Sequence, residues 1–372
     1  MRFLVALVVA CSLLCGTTMA AEKTAIFPKV GPKPVGPYTP GVMANGVLYV
    51  SGQGARDASN QMPTTFEAQT RQCLENVKAI VEGGGLKMSD IVYGQVYLAD
   101  MANSVTMDKI WKEYFPGVGP VRAVLGVKRM PTETPVEINA VATTKTLDRV
   151  YIPGQYASTP AAALDLLKKA VPDLGNLVFV NVYVTPDVSM AELNAAYAPL
   201  FAAGDAPARA ALVVNELPGG AKVSITGVAV KDRKDRRVVR PRNMAPSKTA
   251  SPCVWAGDTL YCSAKSGFIP GPNEGIYGPT VELQVRQTMR NLLDGLEEAG
   301  LSFSHCVQSN VYVDDLAEFG KMNGIYGSFF PQVPPTRTTV QPLGPVERKE
   351  GVNSTWPMLE QVSVVAVRPS VP

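Results

Sequence analysis

The sequence contains very little histidine: His305 is the one histidine among 372 residues. Ser-His and Cys-His catalytic arrangements and metal sites with several histidines all need more imidazoles close together than this chain supplies. A functional site in this protein must therefore be built from other residue types.

The absence of CxxC pairs and the low net charge exclude two further kinds of site. None of the six cysteines forms a CxxC pair, so a structural zinc site is not expected. The formal net charge is only +3, which argues against a surface that binds polyanions as a whole. The one strong charge run, residues 231–242, has seven basic and two acidic residues but no interleaved aromatics. It is interpreted as a solvated linker rather than an RNA-binding arm.

The N-terminal segment has the pattern of an export signal. Arg2 precedes an apolar run from Phe3 to Leu14, and small residues follow up to Ala20. The run is too short for a permanent membrane span, so a secretory signal peptide cleaved after Ala20 is predicted, with a periplasmic or secreted product that no membrane retains. A lipoprotein signal at Cys11 or Cys15 is the less favoured alternative.

Cleavage would leave too few cysteines for a disulfide-based scaffold. A two-residue turn at Gly257 and Asp258 would place Cys253 directly across from Cys262 on a hairpin, where a disulfide can form. Two small buried thiols are the favoured interpretation of this pair.

Self-comparison shows three copies of one unit. Three segments recur in the same order: VLYVSGQ, VYIPGQ and TLYCSA; IVYGQVYLAD, LVFVNVYVTP and CVQSNVYVDD; GPVRAVLGV, APARAALVV and PPTRTTVQP. From the first to the third copy the offsets are 212 for Tyr49 to Tyr261 and 215 for Arg122 to Arg337. Such nearly constant offsets indicate repeats. The predicted division is a signal at 1–20, modules at 21–145, 146–232 and 243–372, and a basic linker at 233–242.

Amphipathic helices lie between these strands. In the first copy Cys73, Leu74, Val77, Ile80 and Val81 fall on one face. A second, shorter helix follows each alternating strand, and the shortened second copy keeps a compact helix near 161–171. Each copy is therefore predicted to be an α+β unit, a sheet covered by helices on one face. The three bare sheet faces can cover one another.

The residues of the first copy carry a family resemblance. The segments GPYTPGVMANGVLYVSGQ, QTRQCLENVKAIVE, VYGQVYLADM and PVRAVLGVKRMPTETPVEINAVA resemble the Rid family, also known as RidA, YjgF or endoribonuclease L-PSP. The resemblance implies a chorismate-mutase-like fold, a mixed sheet backed by two helices. It also implies a trimer with ligand clefts between modules, here as a pseudo-trimer on one chain whose internal contacts replace a homotrimer.

The resemblance further implies hydrolysis of small enamine or imine carboxylates, of the 2-aminoacrylate and 2-iminobutyrate type, to 2-keto acids and ammonia without a metal or organic cofactor. Arg122, in an otherwise apolar strand, would hold the substrate carboxylate. Glu137 would activate the attacking water. Tyr38, Ser51 and Gly52 would line the cleft and contact the substrate, as would Asp108, which stands where the family commonly has asparagine. Tyr97, Tyr183 and Tyr312 are interpreted as core residues.

The other copies depart from this pattern. Arg209, Asn194, Arg337 and Asn323 are retained as expected ligand-binding residues. Ser224 replaces Glu137 in the second copy, and either Gln361 or Glu360 replaces it in the third. Pro153 replaces Ser51 in the second copy, and Ala250 falls at the position of Tyr38 in the third. Because family clefts combine neighbouring modules, the sequence leaves open which cleft is complete.

Three functions follow as hypotheses. An exported imine or enamine hydrolase is preferred, and a non-catalytic protein that binds small carboxylates is the alternative. Ribonuclease activity ranks last, because the chain has neither a histidine near the site nor a basic groove, and no nucleic-acid partner is expected. The expected ligand in either favoured case is a small molecule that bears a carboxylate.

Overall fold

The computed structural model describes residues 23–242, 244–271 and 275–369. The predicted signal peptide lies outside the described residues. Within them the chain forms three α+β modules of the predicted kind. The elements of module 1 are β1 (Lys23–Ile26), β2 (Gly41–Ala44), β3 (Val47–Gln53), α1 (Phe66–Gly83), β4 (Ile91–Leu98), α2 (Ser104–Tyr114), β5 (Val121–Gly126) and β6 (Val136–Ala142).

Module 2 is the shortened copy, and module 3 repeats the plan of module 1. The elements of module 2 are β7 (Arg149–Ala157), α3 (Pro160–Ala170), β8 (Leu177–Val184), α4 (Met190–Tyr197), β9 (Ala208–Val213) and β10 (Val223–Val230). Those of module 3 are β11 (Arg236–Val239), β12 (Cys253–Ala256), β13 (Thr259–Lys265), α5 (Val281–Glu298), β14 (Cys306–Val313), α6 (Phe319–Gly327), β15 (Thr336–Val340) and β16 (Glu360–Val367).

Each module has one mixed sheet. The strand order is β1-β2-β3-β6-β4-β5 in module 1 and β11-β12-β13-β16-β14-β15 in module 3, and the sheet of module 2 keeps the order β7-β10-β8-β9. The Pro-x-Arg strand runs parallel to the alternating strand in every copy, and the other pairs are antiparallel. The two arginines Arg122 and Arg337 thus lie on edge strands, at the boundaries between modules.

Helices cover one face of each sheet, as the sequence pattern predicts. In module 1 the apolar face of α1 packs with alternate residues of the strands, among them Leu48, Val96 and Ile138. Thr65 caps α1 by accepting a hydrogen bond from the backbone N–H of Ala68, and the helix ends before Gly85, whose positive φ of 77° suits glycine. The compact helix predicted near 161–171 is α3.

The other sheet faces meet around a central axis, as expected for a pseudo-trimer. Strand β3 lies against β15, β13 against β9, and β7 against β5, so each module contacts the other two in cyclic order. Tyr97, Tyr183 and Tyr312 pack in one buried cluster on this axis, which confirms their prediction as core residues. Three modules joined in one chain thereby hide the faces that would otherwise be exposed.

The basic segment is more ordered than a solvated linker. Arg236–Val239 forms β11, which pairs with β12, and the Arg236 side chain is buried, with an ion pair of 2.7 Å to Asp205 and a hydrogen bond of 2.6 Å to the carbonyl of Leu177. The interpretation as a solvated linker fails here, because alternating Val238 and Val239 side chains and an available sheet edge draw the segment into module 3.

The favoured interpretation of Cys253 and Cys262 as free thiols was wrong. The two residues lie opposite each other on β12 and β13, as the two-residue turn predicts, and they form a disulfide. Cys73 and Cys306 remain as buried thiols. The register of the hairpin pairs the two cysteines directly across β12 and β13, so their side chains lie on one face and within bonding reach.

Loss of this disulfide should destabilise module 3. Reduction releases a short loop, since the cysteines are nine residues apart, and the expected decrease in the free energy of unfolding is about 2–3 kcal/mol. Urea unfolding with and without reductant measures it. The Cys253→Ala/Cys262→Ala variant is the control and should not respond to reductant. The same free energy of unfolding for the wild-type protein with and without reductant would contradict the expectation.

Candidate functional site

Three clefts lie where one module meets the next, and each contains one arginine of the Pro-x-Arg strands. Cleft A is the site between modules 3 and 1, with Arg337 and Glu137. Cleft B is the site between modules 2 and 3, with Arg209 and Gln361. Cleft C is the boundary of modules 1 and 2 around Arg122 and Tyr156. The copies have diverged, so the three clefts differ in chemistry.

Arg337 is the buried cationic group of cleft A, which Lys33 and Arg56 also line. It sits on β15, is 3% exposed, and its guanidinium lies 5.0–5.4 Å from the ring centres of Tyr38, Phe319 and Tyr326. Both terminal nitrogens are buried without a hydrogen-bond partner. Burial lowers the pKa of Arg337, although arginine keeps its charge under ordinary conditions. The two free nitrogens present a fork that matches a carboxylate.

Glu137 faces the same cleft from β6 of module 1. It is 5% exposed, and burial raises the pKa of its carboxyl to about 8, against the influence of the Arg337 charge. The free nitrogens of Arg337 show that the two groups do not neutralise each other in a direct ion pair. At neutral pH Glu137 is therefore mostly a neutral acid that can give up a proton and take it back.

Gly52 and Gly36 make room for these two groups. A Cβ atom on Gly52 would collide with the carboxylate oxygen of Glu137, and one on Gly36 would lie 2.6 Å from a terminal nitrogen of Arg337. Both positions require the close approach that only glycine permits. The cleft also contains Thr339 and Asn60 and is partly open to solvent.

Ser51 has a different place from the one predicted. Its buried hydroxyl donates a 2.6 Å hydrogen bond to the carbonyl of Thr39 and accepts one of 2.9 Å from the backbone N–H of Arg337. The hydroxyl is thus already used as a donor and as an acceptor within the protein. Ser51 fixes the strand that carries Arg337 and does not offer its hydroxyl to a ligand. Tyr38, whose hydroxyl accepts from the N–H of Val35 at 3.3 Å, lines the cleft as predicted.

Arg122 and Glu137, which the sequence analysis places together, are separated in the structure. Glu137 alternates with Val136 and Ile138, which pack against the helices, so its side chain points to the opposite face of the sheet. Arg122 lies on the helix side, 5.0 Å from the ring centre of Trp111. The structure thus does not bring Arg122 and Glu137 together, and the arginine that shares a cleft with Glu137 is Arg337 of module 3.

Asp108 also differs from its predicted role in ligand binding. It forms an ion pair with Arg122, which compensates the charge that would otherwise attract an anion. Tyr156 of module 2 hydrogen bonds with the backbone N–H and carbonyl of Val124 at 2.6 and 3.1 Å, and it extends from the strand that carries Pro153. Ser224 takes the place of Glu137. In cleft C the arginine is therefore paired with Asp108, and a serine stands where cleft A has Glu137.

Cleft B keeps the cation and lacks the acid. The backbone N–H of Arg209 donates to the hydroxyl of Ser263 at 2.8 Å, just as that of Arg337 does to Ser51. Gln361 pairs with Tyr312 as Glu137 pairs with Tyr97, so the register favours Gln361 over Glu360 as the counterpart. Arg209 donates to the side-chain oxygen of Asn194 at 2.8 Å. Asn323 beside Arg337 instead has a buried oxygen without a partner.

Sequence reasoning missed several residues of these sites. Phe319 and Tyr326 stack around Arg337, and Lys265 lies in cleft B. Phe319 and Tyr326 lie seven residues apart, about two helical turns, on α6 after the alternating strand. Lys265 occupies the repeat position of Gln53. Comparing the copies residue by residue would have singled out Lys265.

The raised pKa of buried carboxyls predicts a pH-dependent stability. Burial raises the pKa of Glu137 and of Glu360 to about 8, from an ordinary value near 4.5. Between these values the folded protein holds protons that the unfolded chain has released, so stability falls as pH rises from about 5 to 8. The slope should reach at most about 1.4 kcal/mol per pH unit for each carboxyl.

Urea unfolding at several pH values tests this slope. Glu137→Gln and Glu360→Gln should each reduce it, and the double variant should be nearly flat over this range. A wild-type stability that rises between pH 6 and 8, or a slope that neither variant changes, would contradict the assignment.

Within the described ranges no cluster of three or more histidine, cysteine, aspartate or glutamate side chains is placed to hold a metal ion. In the same part of the chain no helix has the length and apolar character needed to cross a bilayer.

Comparisons with known proteins agree with this architecture. The family model described as endoribonuclease L-PSP matches three times, at residues 29–144, 145–231 and 242–343. A RutC family protein of Pyrococcus horikoshii is 37% identical over 122 residues, which are 32% of this chain and 97% of that protein. One of Saccharolobus solfataricus is 35% identical over 122 residues, again 32% of this chain and 97% of that protein.

Among solved structures, the YjgF gene product of E. coli is 33% identical, with a TM-score of 0.32, and the match covers 33% of this chain and 99% of that one. Each of the two RutC family proteins corresponds to about one third of this chain. The three successive matches of the family model span most of the sequence. The chain belongs to the endoribonuclease L-PSP, or Rid, family and carries three modules of that family on one polypeptide.

Proposed function

We propose that the protein hydrolyses small enamine or imine carboxylates, of the 2-aminoacrylate and 2-iminobutyrate type, to 2-keto acids and ammonia, and that it does so in cleft A. The observation that carries the proposal is the pairing of a buried arginine with two free terminal nitrogens and a buried glutamate of raised pKa across one cleft. The proposed substrate class is taken from the activity that the family resemblance implies.

The chemistry follows from the two groups. Arg337 holds the substrate carboxylate through two charge-assisted hydrogen bonds. The neutral carboxyl of Glu137 donates its proton to the imine nitrogen, and the carboxylate so formed takes a proton from the water that attacks the imine carbon. This step gives a carbinolamine and a protonated Glu137. Glu137 then gives its proton to the amine nitrogen and takes the hydroxyl proton as the C–N bond breaks, so that the carbonyl forms, ammonia leaves and the neutral carboxyl is restored. One water is consumed, and no electrons are transferred to another group.

Ammonia release from 2-iminobutyrate tests this function. The substrate is generated in the assay by a pyridoxal-phosphate-dependent dehydratase acting on threonine, and purified protein should accelerate the appearance of 2-ketobutyrate and ammonia. No acceleration over buffer would remove the proposal. The aromatic rings around Arg337 favour short apolar substituents on the substrate, so alanine-derived and threonine-derived imines should be better substrates than acidic ones.

A second candidate is carboxylate binding without turnover. The observation that favours it is that cleft B keeps its arginine but has Gln361 in place of the acid. If cleft A behaved in the same way, calorimetry with 2-ketobutyrate would show binding while the ammonia assay showed none.

Export is also part of the proposal. The apolar run from Phe3 to Leu14 and the small residues before Ala21 support cleavage after Ala20. The intact mass of protein expressed with its own leader in an exporting bacterium should correspond to a chain that begins at Ala21. Val8→Arg, which interrupts the apolar run, should block processing. A secreted or periplasmic product that retains the first 20 residues, or processing that Val8→Arg leaves intact, would contradict cleavage.

A further inference from the structure

Cleft B contains a buried cation that lacks an acidic partner. Arg209 is 6% exposed, and its side chain contacts the neutral amide oxygen of Asn194, the sulfur of Met190 and the ring of Tyr197. Its Nε has no hydrogen-bond partner. A buried charge without a counter-charge is costly to maintain, and an anionic ligand would offset that cost.

A second positive group faces the same space. Lys265, two residues after Ser263 on β13, lies in cleft B with Arg209. The equivalent residue of cleft A is the neutral Gln53, which is buried. The residues around cleft B include neither aspartate nor glutamate. Cleft B thus has two cationic side chains and no carboxyl group among the residues that line it.

Cleft B continues into an apolar groove. The two share Met190, Ala211 and Gln361. Beyond them the groove is formed mainly by apolar side chains: Leu212, Val213, Leu343, Val346, Leu359 and Met358. Val346 is 44% exposed and Met358 40% exposed. An apolar surface of this kind, continuous with a charged pocket, is typical of a ligand site.

The outer wall of this groove is built by an insertion that is specific to module 3. Between β15 and β16 the chain has 19 residues, against nine between β5 and β6. The insertion is anchored, because Asp314 accepts a 3.0 Å hydrogen bond from the N–H of Val346 and forms an ion pair of 3.2 Å with Arg348. Glu360, the other acid of the groove, hydrogen bonds to Thr288. The groove is therefore a formed feature of the fold.

We propose that cleft B and this groove together bind an amphipathic carboxylate, with the head on Arg209 and Lys265 and a medium-length apolar tail along Leu343 and Met358. The charge of the pocket selects an anionic head, and the length of apolar wall beyond it selects a tail. Gln361 in place of the acid means that the ligand is bound and not hydrolysed. The site is separate from cleft A and does not depend on the function proposed there.

Calorimetry with octanoate tests the proposal in the Arg337→Gln background, which removes the carboxylate fork of cleft A. We expect one octanoate per chain, bound at least tenfold more tightly than butyrate and than octyltrimethylammonium, which has the same tail and the opposite charge. Arg209→Gln and Leu343→Asn should each weaken octanoate binding at least tenfold, while Arg122→Gln should leave it unchanged.

Three results would overturn the proposal: no binding of octanoate, equal binding of octanoate and octyltrimethylammonium, or binding that Arg209→Gln leaves intact. If the Arg209 variant does not fold, a crystal soaked with 8-bromooctanoate decides. Anomalous signal from bromine between Leu343 and Met358, with the carboxylate on Arg209, supports the site. Bromine elsewhere, or none, overturns it.

Discussion

Arg337→Gln should abolish productive binding of 2-keto acids and imines, although Arg337 lies about 200 residues from Glu137 in the sequence. The guanidinium offers two free nitrogens in cleft A, and charged hydrogen bonds to a carboxylate contribute about 1.5–3 kcal/mol each. Loss of one such bond weakens the binding of 2-ketobutyrate by roughly 10- to 150-fold, and loss of both weakens it by roughly 150-fold or more. Calorimetry measures the change.

The matched control is Arg122→Gln. Arg122 occupies the same repeat position, but Asp108 compensates its charge, so its replacement should change 2-ketobutyrate binding less than about threefold. Thermal unfolding of both variants checks that they fold. If Arg122→Gln abolished binding and Arg337→Gln did not, the assignment of the ligand to cleft A would be wrong.

Glu137→Gln should remove catalysis and leave binding nearly intact. The amide keeps the size of the side chain beside Gly52 but cannot exchange a proton with the imine or with water. The loss in kcat should be on the order of 10²–10⁴. The dissociation constant of 2-ketobutyrate should change by less than about tenfold. The ammonia assay and calorimetry on the same preparation separate the two effects.

Glu360→Gln is the matched control for this prediction. Glu360 is also buried, and burial also raises its pKa to about 8, but it lies outside cleft A. Its replacement should leave kcat within a few-fold of wild type. The wild-type rate should also decline as pH rises past about 8, where Glu137 loses its proton, and this decline should be absent from the residual activity of Glu137→Gln. A Glu137→Gln enzyme with near wild-type kcat would overturn the role of this carboxyl.

The sequence predicts the modules well, because each unit repeats its own pattern. Alternation in the strands and the apolar faces of α1 and α5 depend on neighbours within one copy. The recurrence of Tyr97, Tyr183 and Tyr312 therefore located the core, and the turn at Gly257 located the partner of Cys253. These patterns lie within single copies of the repeat, so the sequence predicts them even when the arrangement of the modules is unknown.

The site was harder to predict because it is built between copies. Arg122 and Glu137 are fifteen residues apart in the sequence. Because side chains alternate between the two faces of a sheet, the register of β5 and β6 places these two side chains on opposite faces. The cyclic order of the modules, which brings β15 against β3, is not written in any local pattern. One signal was available: Asp108 replaces the asparagine found beside Arg209 and Arg337, and an acid at that position marks the cleft whose arginine is already compensated.

Divergence of the copies explains why three arginines do not make three equal sites. Ser51 and Ser263 hold their neighbouring arginine strands in the same way, and Tyr156 holds the third boundary by a different contact. The framework is therefore conserved among the copies of this chain while the chemical groups have changed. A homotrimer of identical modules cannot vary its clefts one at a time in this way, whereas a single chain can.

The central claim is that cleft A, between modules 3 and 1, is the site that holds the substrate carboxylate. The most direct measurement is a crystal structure of the protein soaked with 2-ketobutyrate. We expect its carboxylate on the terminal nitrogens of Arg337, with the keto carbon facing Glu137 and the ligand against Tyr38. Density for the ligand on Arg122, or in no contact with Arg337, would contradict the account.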